Sequence, residues 1–340
     1  MSLSVLICGA GNIAHRFDTP NGESVLTHVK AFERHGGFHV QAIIDGDTER
    51  AREASEIWNI PHYGACLDDV RENTRHQTFD VISICTPDHT HAQYLRDVLA
   101  FRPKIVFCEK PLSLSVDEAS AIVEAYKQAG VLLAVNYSRR WLKEFRELSM
   151  EAASGAFGKV VSARIKYYKG LVHNASHFLD LLQMLTGFES GVGISNGAPS
   201  GVILQATQDY TDDDPTLSVA LRIISPLAGG STFPVMIEGY DSRQMHPLEM
   251  ECIFENISVK FEELSGSHLT RGKLRENAQY AGFFEFSEQT TTTLDASRAM
   301  QEAVSAIFNA LTNGTPLAST GATALETLRL CKRIQSFPHL

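Results

Sequence analysis

The chain has 340 residues, a 44% hydrophobic share and a formal net charge of −10, which suits a globular protein of two domains with a large core. It has no basic block, which argues against nucleic acid and anionic membrane surfaces as partners. Six cysteines are scattered without a Cys-x-x-Cys pair, no apolar run is long enough to span a bilayer, and the N-terminus lacks the basic start of a signal peptide; the expectation is reduced thiols in a cytoplasm, with neither a zinc site nor a disulfide framework.

The apolar run Val5-Leu6-Ile7-Cys8 closes on Gly9-Ala10-Gly11-Asn12-Ile13-Ala14. This spacing predicts a buried strand, a tight turn and the first turn of a helix. Gly9 permits the turn, Gly11 lets the backbone approach a pyrophosphate, and Ala14 is small enough for close helix–strand packing. The leading amides of the helix, those of Asn12 and Ile13 among them, would face the diphosphate. Phe17–Leu26 reads as an insertion, because Asp18, Thr19, Pro20, Asn21 and Gly22 are turn residues. It follows the phosphate-binding turn directly, at the cofactor end of the sheet. The next strand, His39–Ile44, ends at Asp45. A carboxylate there suits a ribose with a free 2′-hydroxyl, although the same residue could simply begin a turn. Asp47 adds a second negative charge that would repel a 2′-phosphate, so NAD is expected over NADP.

Helix and strand patterns alternate to about residue 135, which predicts a parallel sheet covered on both faces. Strands are expected at Asp80–Cys85, Lys104–Cys108 and Val131–Val135, and helices at Asp47–Trp58, Ala92–Ala100 and Ser115–Ala129. Ligands of such sheets sit beyond the carboxyl ends of the strands. Gly9, Asp45, Thr86, Glu109, Lys110 and Asn136 all occupy those ends. Pro111 restricts the backbone of Lys110; taken alone, Lys110 reads first as a solvated surface lysine paired with Glu109, since exposed lysines are the common case.

Beyond residue 136 the texture changes. Arg140–Ala153 is a predicted helix. Strands are expected at Val160–Tyr168, Val202–Tyr210, Leu217–Ile224, Phe233–Tyr240, Leu248–Phe254 and Ile257–Phe261. With no helices between most of them, they point to an antiparallel sheet. Asp212-Asp213-Asp214 reads as a solvated hairpin tip rather than a metal cage, and no metal site is expected. One helix, Ala175–Thr186, carries a buried stripe of Phe178, Leu181, Leu182 and Leu185, with Asn174 as its N-cap. His177 and Asp180 lie one turn apart on an adjoining face, a spacing that fits a local structural pair. Thr290–Thr293 reads as a loop. Met300 to Leu311 and Leu325 to Ile334 form amphipathic helices.

In order and spacing, Gly9 to Ala14, Thr86-Pro87 with His91, Glu109-Lys110-Pro111 and Arg139-Arg140 resemble the motifs of the Gfo/Idh/MocA family of nicotinamide-dependent oxidoreductases. The resemblance implies an α/β Rossmann domain over 1–136. It implies an α+β domain over 137–340 with a large open antiparallel sheet for substrate binding and dimer or tetramer contact, and terminal helices that pack back on the first domain. The implied activity is NAD(H)-dependent hydride transfer to or from a hydroxyl or carbonyl carbon of a sugar, polyol or nucleotide-sugar. Lys110 would hold the alkoxide charge, His177 would exchange the proton and Asp180 would orient it. Thr86, Pro87, His91, Glu109 and Asn136 would join the glycine turn and Asp45 around the cofactor. Arg140, His173 and Asn174 would contact substrate with Lys110 and His177. Family members often carry an aspartate four residues before the histidine; His173 stands there in this chain. The alternatives are a reductase of an imine or bile-pigment-like substrate and a non-catalytic dinucleotide-binding regulator.

Overall fold

The two textures of the sequence become two units in the computed structural model, which describes residues 2–73, 78–188, 201–263 and 266–340. One unit comprises the chain up to Leu142 together with Ser297–Leu325; the other comprises Lys143–Ala296 and Glu326–Leu340.

In the first unit, β1 (Leu3–Cys8), α1 (His28–His35), β2 (Phe38–Ile44), α2 (Thr48–Trp58), β3 (His62–Gly64), α3 (Leu67–Asn73), β4 (Val81–Ile84), α4 (His91–Asp97), β5 (Ile105–Cys108), α5 (Val116–Ala129) and β6 (Leu132–Val135) follow in order. The sheet runs β3-β2-β1-β4-β5-β6 with every pair parallel. β4 and β5 are buried along their whole lengths, as a strand covered on both faces must be. Asp47 and Ser115 cap α2 and α5 by accepting the amides of Arg50 and Glu118. β3 and α3 are additions to the sequence reading, which assigned nothing between Pro61 and Asp80.

The helix expected after the glycine turn is split. A single π turn, Asn12–Arg16, is followed by a non-helical segment, and α1 begins only at His28. The intervening residues are organised by Asp18, which is buried. Its Oδ1 accepts from Ser24 Oγ at 2.7 Å, and its Oδ2 accepts from the Leu26 and Thr27 amides and from Thr27 Oγ1 at 2.7, 2.7 and 2.8 Å. Lys30 Nζ donates to the Thr19 and Pro20 carbonyls at 3.1 and 2.5 Å. The insertion is therefore tied to the start of α1 at both ends.

In the second unit, α6 (Lys143–Ala153), β7 (Val160–Tyr168), α7 (Ser176–Thr186), β8 (Gly201–Thr211), β9 (Asp214–Ile224), β10 (Thr232–Tyr240), β11 (Glu249–Phe254), β12 (Ile257–Glu262), β13 (Ser267–Glu276) and β14 (Phe284–Leu294) follow. The sheet order is β14-β13-β12-β11-β7-β10-β9-β8. All its pairs are antiparallel except β7 with β10, which is parallel. Alternate residues of β9 to β12 are buried, and Phe145 of α6 and Phe178 of α7 lie on Phe261 at centroid separations of 5.0 and 6.2 Å. Thr290–Thr293, expected as a loop, pair with Arg271 to His268 inside β14. That edge strand is exposed on both faces. Threonine there combines the branched Cβ that favours extended backbone with a polar surface, so no hydrophobic alternation marks it.

After the sheet, α8 (Ala299–Asn313) contributes Met300, Ala303, Val304 and Ile307 to the core that holds Val5, Ile7 and Phe32 of the first unit. The last helix is α9 (Gly321–Gln335). Among the described residues no helix is long and apolar enough to cross a membrane.

Candidate active site

The strand ends of the first unit are joined by backbone bonds. Gly9 N donates to Ile44 O at 2.7 Å, Cys85 N to Cys8 O at 2.7 Å, Glu109 N to Ile84 O at 2.9 Å and Asn136 N to Cys108 O at 2.8 Å. Two glycines of the first turn differ in what demands them. Gly9 has φ +101, and a Cβ there would stand 2.7 Å from Cys85 O, so both conformation and packing require glycine. Gly11 has φ −84, and a Cβ there would meet no protein atom within 4 Å. Neither backbone nor packing asks for glycine at 11. The remaining physical reason is an outside group that must lie against the backbone, as a pyrophosphate does. Asn12 and Ile13 head the π turn, where leading amides have no partner inside the helix.

Asp45 is held in place by the same turn. The Ala10 amide donates to its Oδ2 at 2.8 Å and the Asp47 amide to its Oδ1 at 2.9 Å. A carboxylate has about four lone-pair sites, so acceptor capacity remains for ribose hydroxyls. Asp47 has separate work: it caps α2 and pairs with Arg50 at 3.1 Å. Its charge is offset locally by Arg50, whereas Asp45 has no such cation among its described partners.

Further along the sheet, Thr86 O and Pro111 O each face one nitrogen of His91, at 2.8 and 2.6 Å. The His91 ring is wholly buried. The expected cofactor contact gives way to a brace between the Thr86-Pro87 turn and the Glu109-Lys110-Pro111 turn. Pro87 O accepts from the Thr90 amide and hydroxyl at 2.9 and 2.7 Å, which fixes the first of these turns. Glu109 is also turned inward. Its Oε1 accepts from Asn136 Nδ2 at 2.6 Å and lies 2.8 Å from His28 Nε2, while His28 Nδ1 lies 2.7 Å from Ser83 Oγ. Burial opposes charge on His28, but Cys85 and the Glu109 carboxylate outweigh it and raise the imidazole to about 10. Burial likewise opposes charge on Glu109, and His28, Asn136 and Lys110 together hold its carboxyl below the ordinary range. Both directions favour an imidazolium beside a carboxylate. Asn136 Oδ1 accepts from Trp141 Nε1 at 3.1 Å, which spends the Asn136 side chain inside the protein. Lys110, the residue after Glu109, acts on the same carboxylate and is half-buried. Arg140, expected on substrate, is 4% exposed and donates to Ala318 O at 3.2 Å. The turn Ser138–Trp141 packs beneath the 297–325 segment, and the guanidinium serves that contact.

In the second unit a π turn, Leu171–Ala175, runs into α7. Gly170 starts it with φ +83, and a Cβ there would stand 2.4 Å from Asp214 Oδ2. Asp214 accepts the amides of Val172 and His173 at 2.8 Å each. The aspartate run therefore splits: Asp212 and Asp213 are exposed, whereas Asp214 is 9% exposed and caps the turn. Burial pushes its carboxyl up, against the pull of those amides. Among the described residues no group of three or more His, Cys, Asp or Glu could hold a metal ion. Asn174 is not the N-cap, because the π turn continues the helix backwards; its Nδ2 donates to Tyr168 O at 2.9 Å instead. α7 is buried almost all round, well beyond the four-residue stripe. Its two residues that are not buried are His177 and Met184, two turns apart. Asp180 is 1% exposed and accepts from Thr327 Oγ1 at 3.2 Å. His173 stacks on Tyr210, with centroids 4.4 Å apart and Tyr210 Oη 3.2 Å from His173 Nδ1. Tyr210, His28 and the inward role of Asp214 are not legible in the sequence, since each acts across 37 or more residues.

Comparison with known proteins agrees with this geometry. Residues 3–137 match the family model GFO_IDH_MocA, described as an oxidoreductase family with an NAD-binding Rossmann fold. The chain is 30% identical over 131 residues to the uncharacterized oxidoreductase YrbE of Bacillus subtilis, covering 38% of this chain and 37% of that protein. It is 32% identical over 124 residues to a myo-inositol 2-dehydrogenase of Thermotoga maritima, covering 36% of each. The matches thus span little more than a third of these curated relatives. In fold, the chain is similar to a levoglucosan dehydrogenase solved with NADH and levoglucosan, with a TM-score of 0.74 and 17% identity over 98% of this chain and 96% of that one.

Proposed function

We propose, from the premise that residues 3–137 belong to the GFO_IDH_MocA oxidoreductase family, that the chain is an NAD(H)-dependent dehydrogenase acting on a CH–OH group of a sugar, polyol or nucleotide-sugar. Gly11 carries the reading: it is a glycine that neither its backbone angle nor its protein surroundings require. The turn Gly9 to Ile13 would take the diphosphate, Asp45 the adenosine ribose, and Thr86 and Pro87 the stretch between them. NAD, when bound, supplies hydride acceptance and return. The protein's share is charge and proton control. An alcohol releases hydride readily only as its proton leaves, and Lys110 is assigned to hold the oxygen's developing negative charge. His177, the residue of the leading turn of α7 that is not buried, is assigned the proton, which an imidazole exchanges in both directions around neutral pH. Buried Asp180 is assigned to positioning.

Inositols lead the substrate panel, because that is what the named curated relative acts on; aldoses and nucleotide-sugars follow, read by nicotinamide absorbance. With a substrate in hand, Lys110→Met should lower turnover about 10³-fold or more and leave NADH affinity within about twofold. His177→Asn should lower turnover by about 10²–10⁴-fold. Normal turnover by Lys110→Met would remove the lysine from the chemistry. Bound NADH with no turnover across the panel would favour a regulator.

A further inference from the structure

The Glu109-Lys110-Pro111 turn has a buried imidazole behind it that no motif accounts for. His28 is the first residue of α1, and none of its surface is exposed. Both its nitrogens are engaged, one 2.7 Å from Ser83 Oγ on β4 and the other 2.8 Å from Glu109 Oε1 at the end of β5. Its ring lies 4.7 Å from that of Phe107, centroid to centroid. Packing alone would be met by an apolar side chain; an imidazole that shares two polar partners in a buried place is there for those partners.

We propose that His28 is a positioning residue for Lys110: clamped between Ser83 and Glu109, it keeps the Glu109 carboxylate on the inner side of the turn and ties that turn to the Phe17–Leu26 insertion. The link to the insertion is covalent and short. Thr27 precedes His28, caps α1 by accepting from the Lys30 amide, and is itself held through its amide and hydroxyl by Asp18 Oδ2. From Asp18 through Thr27 and His28 to Glu109, each step is a covalent neighbour or a hydrogen bond of 2.8 Å or less. Glu109 Oε1 takes a second donor, Asn136 Nδ2, from the residue just past β6. The carboxylate's charge is thereby directed at His28 and Asn136, while Lys110, the next residue, also acts on it. Removing the imidazolium would leave that negative charge buried with one partner fewer, and more of it would bear on the Lys110 ammonium.

The inference rests on the proposed role of Lys110, yet it can be tested without turnover. Acetic anhydride labels lysine only as the free amine, so the rate at Lys110, read from its peptide by mass spectrometry across a pH series, reports the charge around that amine. His28→Gln keeps a donor near Glu109 and removes the positive charge. The expected result is a labelling curve displaced to higher pH, about tenfold slower labelling on its rising limb, an unchanged plateau, and NADH affinity within about twofold. Ser83→Ala, which keeps the imidazole and removes one of its partners, should displace the curve the same way by less, and it carries the test if His28→Gln shows no cooperative melt. A curve that stays in place in a folded variant, whatever its melting temperature, would reduce His28 to packing. Normal turnover by Lys110→Met would overturn the proposed chemistry while leaving this labelling result intact.

Discussion

Two short π turns, one in each unit, are built from the same parts and serve different ends. Asn12–Arg16 and Leu171–Ala175 each follow a glycine of positive φ, Gly9 at +101° and Gly170 at +83°. Each is met by an aspartate from a distant strand end. Asp45 takes the Ala10 amide, ahead of the first turn, and the Asp47 amide beyond it, so it accepts none of the turn's own leading amides. Asp214 places one oxygen on the Val172 amide and the other on the His173 amide, within the second turn. There the protein supplies its own anion. With the carboxylate outside the turn, the device leaves room for the proposed ligand. It is a rigid mount for His173 and His177 when the carboxylate stands inside.

The comparison breaks most visibly at Gly170. Alanine there would hold φ +83 with its Cβ 2.4 Å from Asp214 Oδ2, and a loss of about 3 kcal/mol or more is expected in denaturant unfolding. A loss below about 1 kcal/mol would show that the mount tolerates a side chain. Asp214→Ala should cost about 2–3 kcal/mol, since two amides lose their acceptor, with little change in NADH affinity. Asp45→Asn should do the reverse: stability within about 0.5 kcal/mol, NADH about tenfold weaker, and the preference for NADH over NADPH reduced, all read by titrating both cofactors. Unchanged preference would mean that discrimination lies elsewhere.

The difference between the turns also explains what the sequence made legible. The first turn is announced by glycine spacing after an apolar run and by Asp45 at the next strand end, all local patterns. Strand ends at Thr86, Glu109 and Asn136 were visible because proline, charge and helix caps punctuate them. Asp214 was hidden, as its partners lie 41 and 42 residues away, and three adjacent aspartates look solvated whichever of them turns inward. The burial of His91 and Arg140 was hidden for a related reason: their side-chain chemistry suits a ligand, and only the fold reveals the carbonyls of Thr86, Pro111 and Ala318 beside them. α7 hid its true burial because Asp180, Gln183 and Thr186 are polar yet buried. In β14 the signal failed in the opposite sense, since a strand exposed on both faces has no alternation to read.

The smallest expected effect concerns the insertion beside the first turn. Burial pushes the Asp18 carboxyl up, but bonds from Ser24, Thr27 and Leu26 outweigh it and hold it below the ordinary range. A carboxyl lowered in the folded state contributes stability that is complete above its unfolded value, about 3.9, and lost as pH falls through the folded value. The gap in melting temperature between wild type and Asp18→Ala should therefore be steady near neutral pH and narrow below about pH 4. A gap that widens in acid would contradict the assignment.

Whether the first turn is a dinucleotide cradle is decided most directly by titrating NADH, followed by nicotinamide fluorescence, into the wild-type protein and Gly11→Ala. Alanine at 11 fits the backbone at φ −84 and touches no protein atom within 4 Å, so melting should be unchanged. The same methyl group stands where the pyrophosphate must lie, and NADH affinity should fall about tenfold or more, a difference of about 1.4 kcal/mol or greater. Equal affinity in the two proteins, with both folded, would place the dinucleotide elsewhere and remove the ground on which the dehydrogenase reading stands.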